Sequence, residues 1–221
     1  MSSLKIITTQ DGSHSLLHEQ LNETYHSIHG AIQESNYVFI EKGLEFVKSS
    51  GKPEIKILEI GFGTGLNALL TIQRTLTNSL TIRYTTIEAF PVEEEVWSQL
   101  NYADAVELKA WFEKLHRATW NEWVELSPTF HLRKLHTTLQ DVTVEVDQYD
   151  LIYFDAFAPN KQPAMWELPM LEKVVTSMNA DGVLVTYCAK GQLKRDLQSL
   201  NLKVESLPGP PGKREMVRAI K

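Results

Sequence analysis

The sequence predicts an α/β fold: a doubly wound, seven-stranded, mostly parallel sheet with an antiparallel last strand and helices on both faces, preceded by an N-terminal extension. Three observations predict it. Beyond Pro53, short apolar strand runs alternate with helical stretches, and the turn after the first of these strands is glycine-rich. The last two strand runs are joined only by Pro208-Gly-Pro-Pro-Gly212. That loop is too short for a crossover helix, so the two must pair as a hairpin. With 221 residues, 43% of them apolar, the chain can bury one core, divided here into an extension (1–50) and a main domain (51–221).

In the extension, residues 6–9 and 15–17 flank the turn pair Asp11-Gly12 and predict a hairpin. A mixed segment spans 25–40, and 41–49 reads as a short helix stopped by Gly51-Lys-Pro53. Residues 55–60 form the first core strand, 66–76 a helix and 81–89 a β-branched strand. A helix is expected over 92–100, where Pro91 opens it and three glutamates fill the first turn, the end at which the macrodipole favours acid. Residues 104–123 read as a further helical stretch, 130–138 and 142–146 as strand pieces, and 150–156 as a buried strand. A helix over 165–178, a buried strand over 182–187 and a helix over 192–200 follow, before the closing strands at 202–207 and 215–220.

Composition narrows the function classes. Charged residues make up 23% of the chain, and no polar low-complexity tract or internal repeat occurs. No apolar run approaches the roughly 20 residues that span a bilayer. Residues 1–20 hold no signal-like stretch, and Cys188 is the single cysteine. A cytoplasmic protein without membrane contact is expected. Net charge is -6, but residues 190–221 carry eight Lys/Arg against three Asp/Glu, leaving -11 on the rest. An acidic body with a basic tail is compatible with a nucleic-acid partner that the net charge alone would discourage.

The strongest motif is Glu59-Ile-Gly61-Phe62-Gly63-Thr64-Gly65, where the first core strand turns into its helix. Such glycines let a backbone approach a ligand closely. A dinucleotide fingerprint would need glycine where Leu66 stands. Glu59 adds a carboxylate suited to a cofactor that carries an amine. Glu88, ending the next strand, is suited to ribose hydroxyls, and Asp141 to an adenine amino group. Together they point to an adenosine-bearing cofactor without phosphates. Asp155, at the end of an apolar strand and between Phe154 and Phe157, is the catalytic candidate: a carboxyl there is costly to bury unless it hydrogen-bonds something, such as a substrate amine. Lys161 and Trp166 in the following loop suit a phosphate and a base, with packing of Trp166 against the next helix as the equal alternative, and Lys213-Arg214 suit either phosphates or the covering of an edge strand. The seven histidines form no recognisable ligand set, so no metal is expected.

Glu59-Ile-Gly-Phe-Gly-Thr-Gly-Leu-Asn67, Ile87-Glu-Ala-Phe-Pro91, Asp155-Ala-Phe-Ala-Pro-Asn-Lys-Gln-Pro-Ala-Met-Trp166 and Lys213-Arg-Glu-Met216 together resemble the methyltransferase part of the MnmC family. Gly30-Ala-Ile-Gln-Glu-Ser-Asn-Tyr-Val-Phe-Ile40 extends the resemblance toward the N-terminus. It implies a Rossmann-like class I methyltransferase fold and S-adenosyl-L-methionine as cofactor, bound by Glu59, Gly61, Phe62, Gly63, Thr64, Gly65, Asn67, Glu88 and Asp141. It further implies Asp155 beside the reacting amine, with Tyr25, Phe157, Lys161, Trp166, Lys213 and Arg214 on the substrate side. The implied reaction is N-methylation of 5-aminomethyl-2-thiouridine at the tRNA wobble position, with the anticodon loop as partner. The chain looks like the stand-alone form, often called MnmD, so neither a flavin oxidase domain nor FAD is expected. Ala156 stands where the fused members often have glycine. The rival within this fold is an aminopropyltransferase-like enzyme acting on a small amine. A non-catalytic cofactor-binding module is the rival from another class.

Overall fold

The computed structural model describes residues 4–77, 80–105 and 107–221. The expected N-terminal hairpin forms from Leu4–Thr8 (β1) and His14–His18 (β2), and Glu23–Thr24 (β3) completes a three-stranded sheet. Asp11 shapes the turn by accepting from the Ser13 N–H at 3.0 Å and the Thr9 hydroxyl at 2.7 Å. A continuous helical segment follows from residue 31 to residue 48: Ala31–Ser35 (α1), a π-helical stretch Asn36–Leu44, and Glu45–Lys48 (α2). It begins ten residues before the expected helix, whose predicted start at 41 is thereby corrected. The wide π turns place Val38, Phe39, Ile40, Gly43 and Leu44 in the core, a spacing that a 3.6-residue period does not detect.

The main sheet takes its strands from Glu54–Ile60 (β4), Thr81–Glu88 (β5), Trp123–Ser127 (β6), Phe130–His136 (β7), Tyr149–Phe154 (β8), Met178–Thr186 (β9), Lys203–Pro208 (β10) and Glu215–Ile220 (β11). Their order is β10-β11-β9-β8-β4-β5-β7-β6. The helices are Leu66–Leu76 (α3), Glu94–Trp97 (α4), Tyr102–Ala105 (α5), Lys109–Arg117 (α6), Leu168–Thr176 (α7) and Gly191–Ser199 (α8), with a 3-10 turn over Pro163–Trp166. Pairing is parallel from β9 through β8, β4 and β5 to β7. The final hairpin is antiparallel as expected, and β11 inserts between β9 and β10.

The sheet has eight strands rather than seven, because Trp123–Ser127 pairs antiparallel with β7. The sequence pattern carries a helical stretch as far as Trp123, the first residue of that strand. Trp111, Trp120 and Trp123 mimic a helical stripe, but α6 ends at Arg117, Ala118 turns extended, and Trp120 already bridges Lys134. Residues 142–146, expected as a strand, are irregular, although Val142 and Val144 still pack on the core. The helix expected over 92–100 shortens to Glu94–Trp97. Among the described residues no helix is long and apolar enough to cross a membrane.

Candidate active site at the carboxyl ends of the strands

From β4 the chain builds outward to β5 and β7 on one side and to β8 and β9 on the other. Ligands of doubly wound sheets bind where this order reverses. Here the carboxyl ends of β4, β5, β7 and β8 open into a cleft of about 1700 Å³, roofed by residues 18–29 and edged by Gly212 and Lys213.

Gly61, Phe62, Gly63, Thr64, Asn67 and Glu88 line one side of the cleft. Gly61 has φ +94° and donates its N–H to the Ile87 carbonyl at 3.0 Å, which ties the loop to β5. Glu88 accepts from the Gly63 N–H at 2.9 Å and the Phe90 N–H at 2.8 Å, one on each carboxylate oxygen. Each oxygen keeps capacity for a further donor, as a ribose diol requires. Phe62 is fixed from below: His116 and Trp120 pack on it at 5.4 and 6.1 Å. His116 donates from Nε2 to the Thr64 carbonyl at 3.1 Å, and burial lowers its pKa to about 3, keeping it neutral. Lys134, also buried, donates to the His116 carbonyl at 2.7 Å near the end of α6.

Three of the expected cofactor residues stand elsewhere. Gly65 does not line the cleft; at φ +74° it starts α3 and shapes the loop. Asp141 is exposed, lies outside the cleft lining and accepts from the Thr138 hydroxyl at 2.7 Å, so its carboxylate is used in a local turn. Its neighbours Thr138, Leu139 and Gln140 line the cleft instead. Glu59 does not face the cleft as a carboxylate. It is 0% exposed on β4, and burial raises its pKa to about 8 against the lowering effect of neighbouring Thr86, Asn67 and Tyr84. At neutral pH it is therefore mostly a neutral acid.

That state predicts a pH dependence of stability. An acid that ionises near 4.5 when unfolded and near 8 when folded makes the unfolded chain bind fewer protons over that window, so stability falls as pH rises from about 4.5 to 8. Denaturant titrations of wild type and Glu59→Gln from pH 5 to 8 are expected to show a decline that is larger in the wild type by roughly 1–3 kcal/mol. Parallel curves would refute the assignment.

Asp155 follows β8, and its N–H donates to the Ile60 carbonyl at 3.0 Å beside the glycine loop. Asn67 Nδ2 donates to its Oδ2 at 2.9 Å, the one hydrogen bond to this carboxyl among the described residues. Burial pushes its pKa up to about 7, against the lowering effect of Asn67. Tyr25 and Phe157 meet edge to face at 5.0 Å and also line the cleft.

The remaining substrate-side expectations change. Trp166 is 7% exposed, packs on Phe154 at 4.8 Å and donates to the Phe157 carbonyl at 2.8 Å. It supports the loop from within the core and offers no face for a base. Lys161 lines the cleft but spends its ammonium on the Leu21 and Asn22 carbonyls at 2.8 and 3.1 Å. Lys213 is ion-paired with buried Glu34, while Arg214 is exposed and outside the cleft lining. Glu34 and Tyr187, both on the cleft wall, escaped the sequence reading. Glu34 sits inside the quoted Gly30–Ile40 run, but nothing local marks it as buried.

A family model of S-adenosyl-L-methionine-dependent methyltransferases matches residues 106–221, just over half of the chain. The chain belongs to this family. The methyltransferase is also similar to proteins named tRNA 5-methylaminomethyl-2-thiouridine biosynthesis bifunctional protein MnmC. That from Leptospira interrogans is 29% identical over 90% of this chain and 32% of its own length. That from Pseudoalteromonas atlantica is 30% identical over 90% of this chain and 31% of its own. The chain thus spans about a third of the curated relatives it matches. Among solved structures, MnmC2 from Aquifex aeolicus aligns with a TM-score of 0.80 and 27% identity, over 99% of this chain and 70% of that one. The fold is that of class I methyltransferases. Spermidine synthase from Thermotoga maritima, at TM-score 0.57 and 13% identity over the whole of this chain and 69% of that one, shares the fold alone.

The methyltransferase's residues fit S-adenosylmethionine. A Cβ on Gly61 would lie 2.8 Å from the Asp155 carbonyl oxygen, so the loop is already as close to β8 as a backbone allows. Glu88 offers acceptors for the ribose, and Ile87, Leu139 and Met165 give the cleft an apolar side suited to adenine.

Proposed function

We propose that this chain methylates the primary amine of 5-aminomethyl-2-thiouridine at the wobble position of tRNA, in the cytoplasm. The observation that carries the reading is Asp155: a half-buried carboxyl raised to about 7, oriented by Asn67 and set against the glycine loop in one cleft. The names of the MnmC relatives supply the substrate class. S-adenosylmethionine, when bound, supplies an electrophilic methyl group on a sulfonium sulfur.

An alkylammonium has no lone pair and cannot attack carbon. Asp155, ionised, takes one proton from it through Oδ1, the oxygen that Asn67 leaves free, and the released amine then turns its lone pair away from the carboxyl while a remaining N–H donates back to it. Attack by that lone pair would leave the C–S electron pair on the sulfur of a cofactor held by the glycine loop and Glu88. Holding the amine at Asp155 beside that loop would supply much of the acceleration. Tyr25 and Phe157 offer apolar surface to a uracil ring turned out of the anticodon stack. With Lys161 and Lys213 bonded to groups of the protein itself, exposed Arg214 and Lys190 are cations available to RNA phosphates.

The test is radiolabelled methyl transfer to tRNA from cells lacking this activity, followed by nucleoside analysis. Label in 5-methylaminomethyl-2-thiouridine is expected. Label in a polyamine supplied in parallel, with none in tRNA, would overturn the reading.

A further inference from the structure

We propose that Glu34 and Lys213 are positioning residues that set the charge state of Asp155, working as an opposed pair on the wall of the cleft. The inference rests on the amine-methylation reading above.

The pair joins residues 179 apart in sequence, one on α1 and one in the loop of the closing hairpin. Glu34 is 6% exposed; one of its oxygens accepts the Lys213 ammonium and the other the Ser27 N–H at 2.7 Å. The ammonium also lies 3.8 Å from the centre of the Tyr187 ring. The Tyr187 hydroxyl in turn donates to the Ala156 carbonyl at 2.8 Å, the residue next to Asp155. Glu34, Lys213, Tyr187 and Asp155 all line one cleft. A buried ion pair is weak evidence of a stabilising role, because desolvation offsets its attraction. This one stands where its charges act on the reacting carboxyl.

The other groups facing Asp155 carry little charge at neutral pH. Asn67 is an amide, Glu59 is held neutral by burial, and the Tyr84 and Tyr187 phenols are pushed upward. Glu34 and Lys213 remain, and they act on Asp155 in opposite senses, the carboxylate raising its pKa and the ammonium lowering it. Each offsets part of the other's effect on Asp155. Removing one therefore leaves the other unopposed.

The experiment is the pH dependence of kcat/KM for Lys213→Met, Lys213→Arg and Glu34→Gln, beside wild type. Lys213→Met is expected to move the acid limb up by about half a pH unit and Glu34→Gln to move it down by about as much, as for a unit charge at short range. Lys213→Arg, which keeps the charge, is expected to stay near wild type. A merely structural pair would shift both limbs in one direction or neither, and either result overturns the proposal. Carbon-13 titration of the Asp155 carboxyl in the substrate-free proteins gives the same two outcomes where turnover is too low to profile. It also separates the inference from the reading beneath it, since wild type that fails to methylate tRNA refutes the function while the titration still decides the pair.

Discussion

Asp155→Ala is expected to lower kcat by at least about 100-fold, the usual share of a positioned proton acceptor, while S-adenosylmethionine affinity stays within about threefold. The carboxyl removed sits at the end of β8, half-buried and with one oxygen bound to Asn67, where the proposed mechanism puts the substrate amine. Asp155→Asn sharpens the test, because the amide keeps shape and polarity but cannot take the proton. It should be nearly as slow as the alanine variant. The pH profile gives the sign: Asp155 must be ionised to act, so wild-type kcat/KM rises with pH through about 7, and that limb disappears in both variants. Single-turnover rates with calorimetric cofactor affinity make the measurement. Turnover within threefold of wild type would remove Asp155 from the mechanism.

Gly61→Ala is expected to weaken cofactor binding at least tenfold and to lower the thermal midpoint. Two effects add. The residue's φ of +94° lies where a side chain is strained, and the new Cβ would stand 2.8 Å from the Asp155 carbonyl oxygen. That neighbour is backbone, so relief comes only by parting the glycine loop from the end of β8, the two surfaces that frame the cleft. Strain of this kind costs roughly 1–3 kcal/mol, and about 1.4 kcal/mol is a factor of ten in affinity. Gly51→Ala is the control: φ is +81°, but nothing lies within 4 Å of the added carbon. It should lose stability alone. Equal cofactor affinity in the two variants would show that close approach at Gly61 is irrelevant to binding.

The elements that the sequence announced share a property: their signal is local. The strands at 55–60 and 150–156 are continuous apolar runs bounded by turns, and β4 and β8 occupy them nearly residue for residue. The final hairpin followed from loop length alone. Errors arose where local pattern and tertiary demand diverged. The π-helical stretch Asn36–Leu44 buries a set of residues no helical period would select. Trp123 joins a strand because β7 offers it an edge, and nothing within the segment reports that edge.

The candidate site divides in the same way. Gly61, Gly63, Glu88 and Asp155 were legible because a glycine turn and strand-end acids mark the carboxyl edge of such a sheet wherever they occur. The sequence by itself therefore determined the fold class, the family resemblance and the strand end that carries the carboxyl proposed to react. Only the tertiary structure decided which charged groups surround that carboxyl. It closed Glu59 beneath the loop, turned Asp141 to a local bond, drew Trp166 into the core and brought Lys213 to Glu34 across 179 residues. The physical reason is that side-chain patterning specifies which face of an element is apolar, whereas burial and charge pairing belong to elements that meet only when the chain has folded.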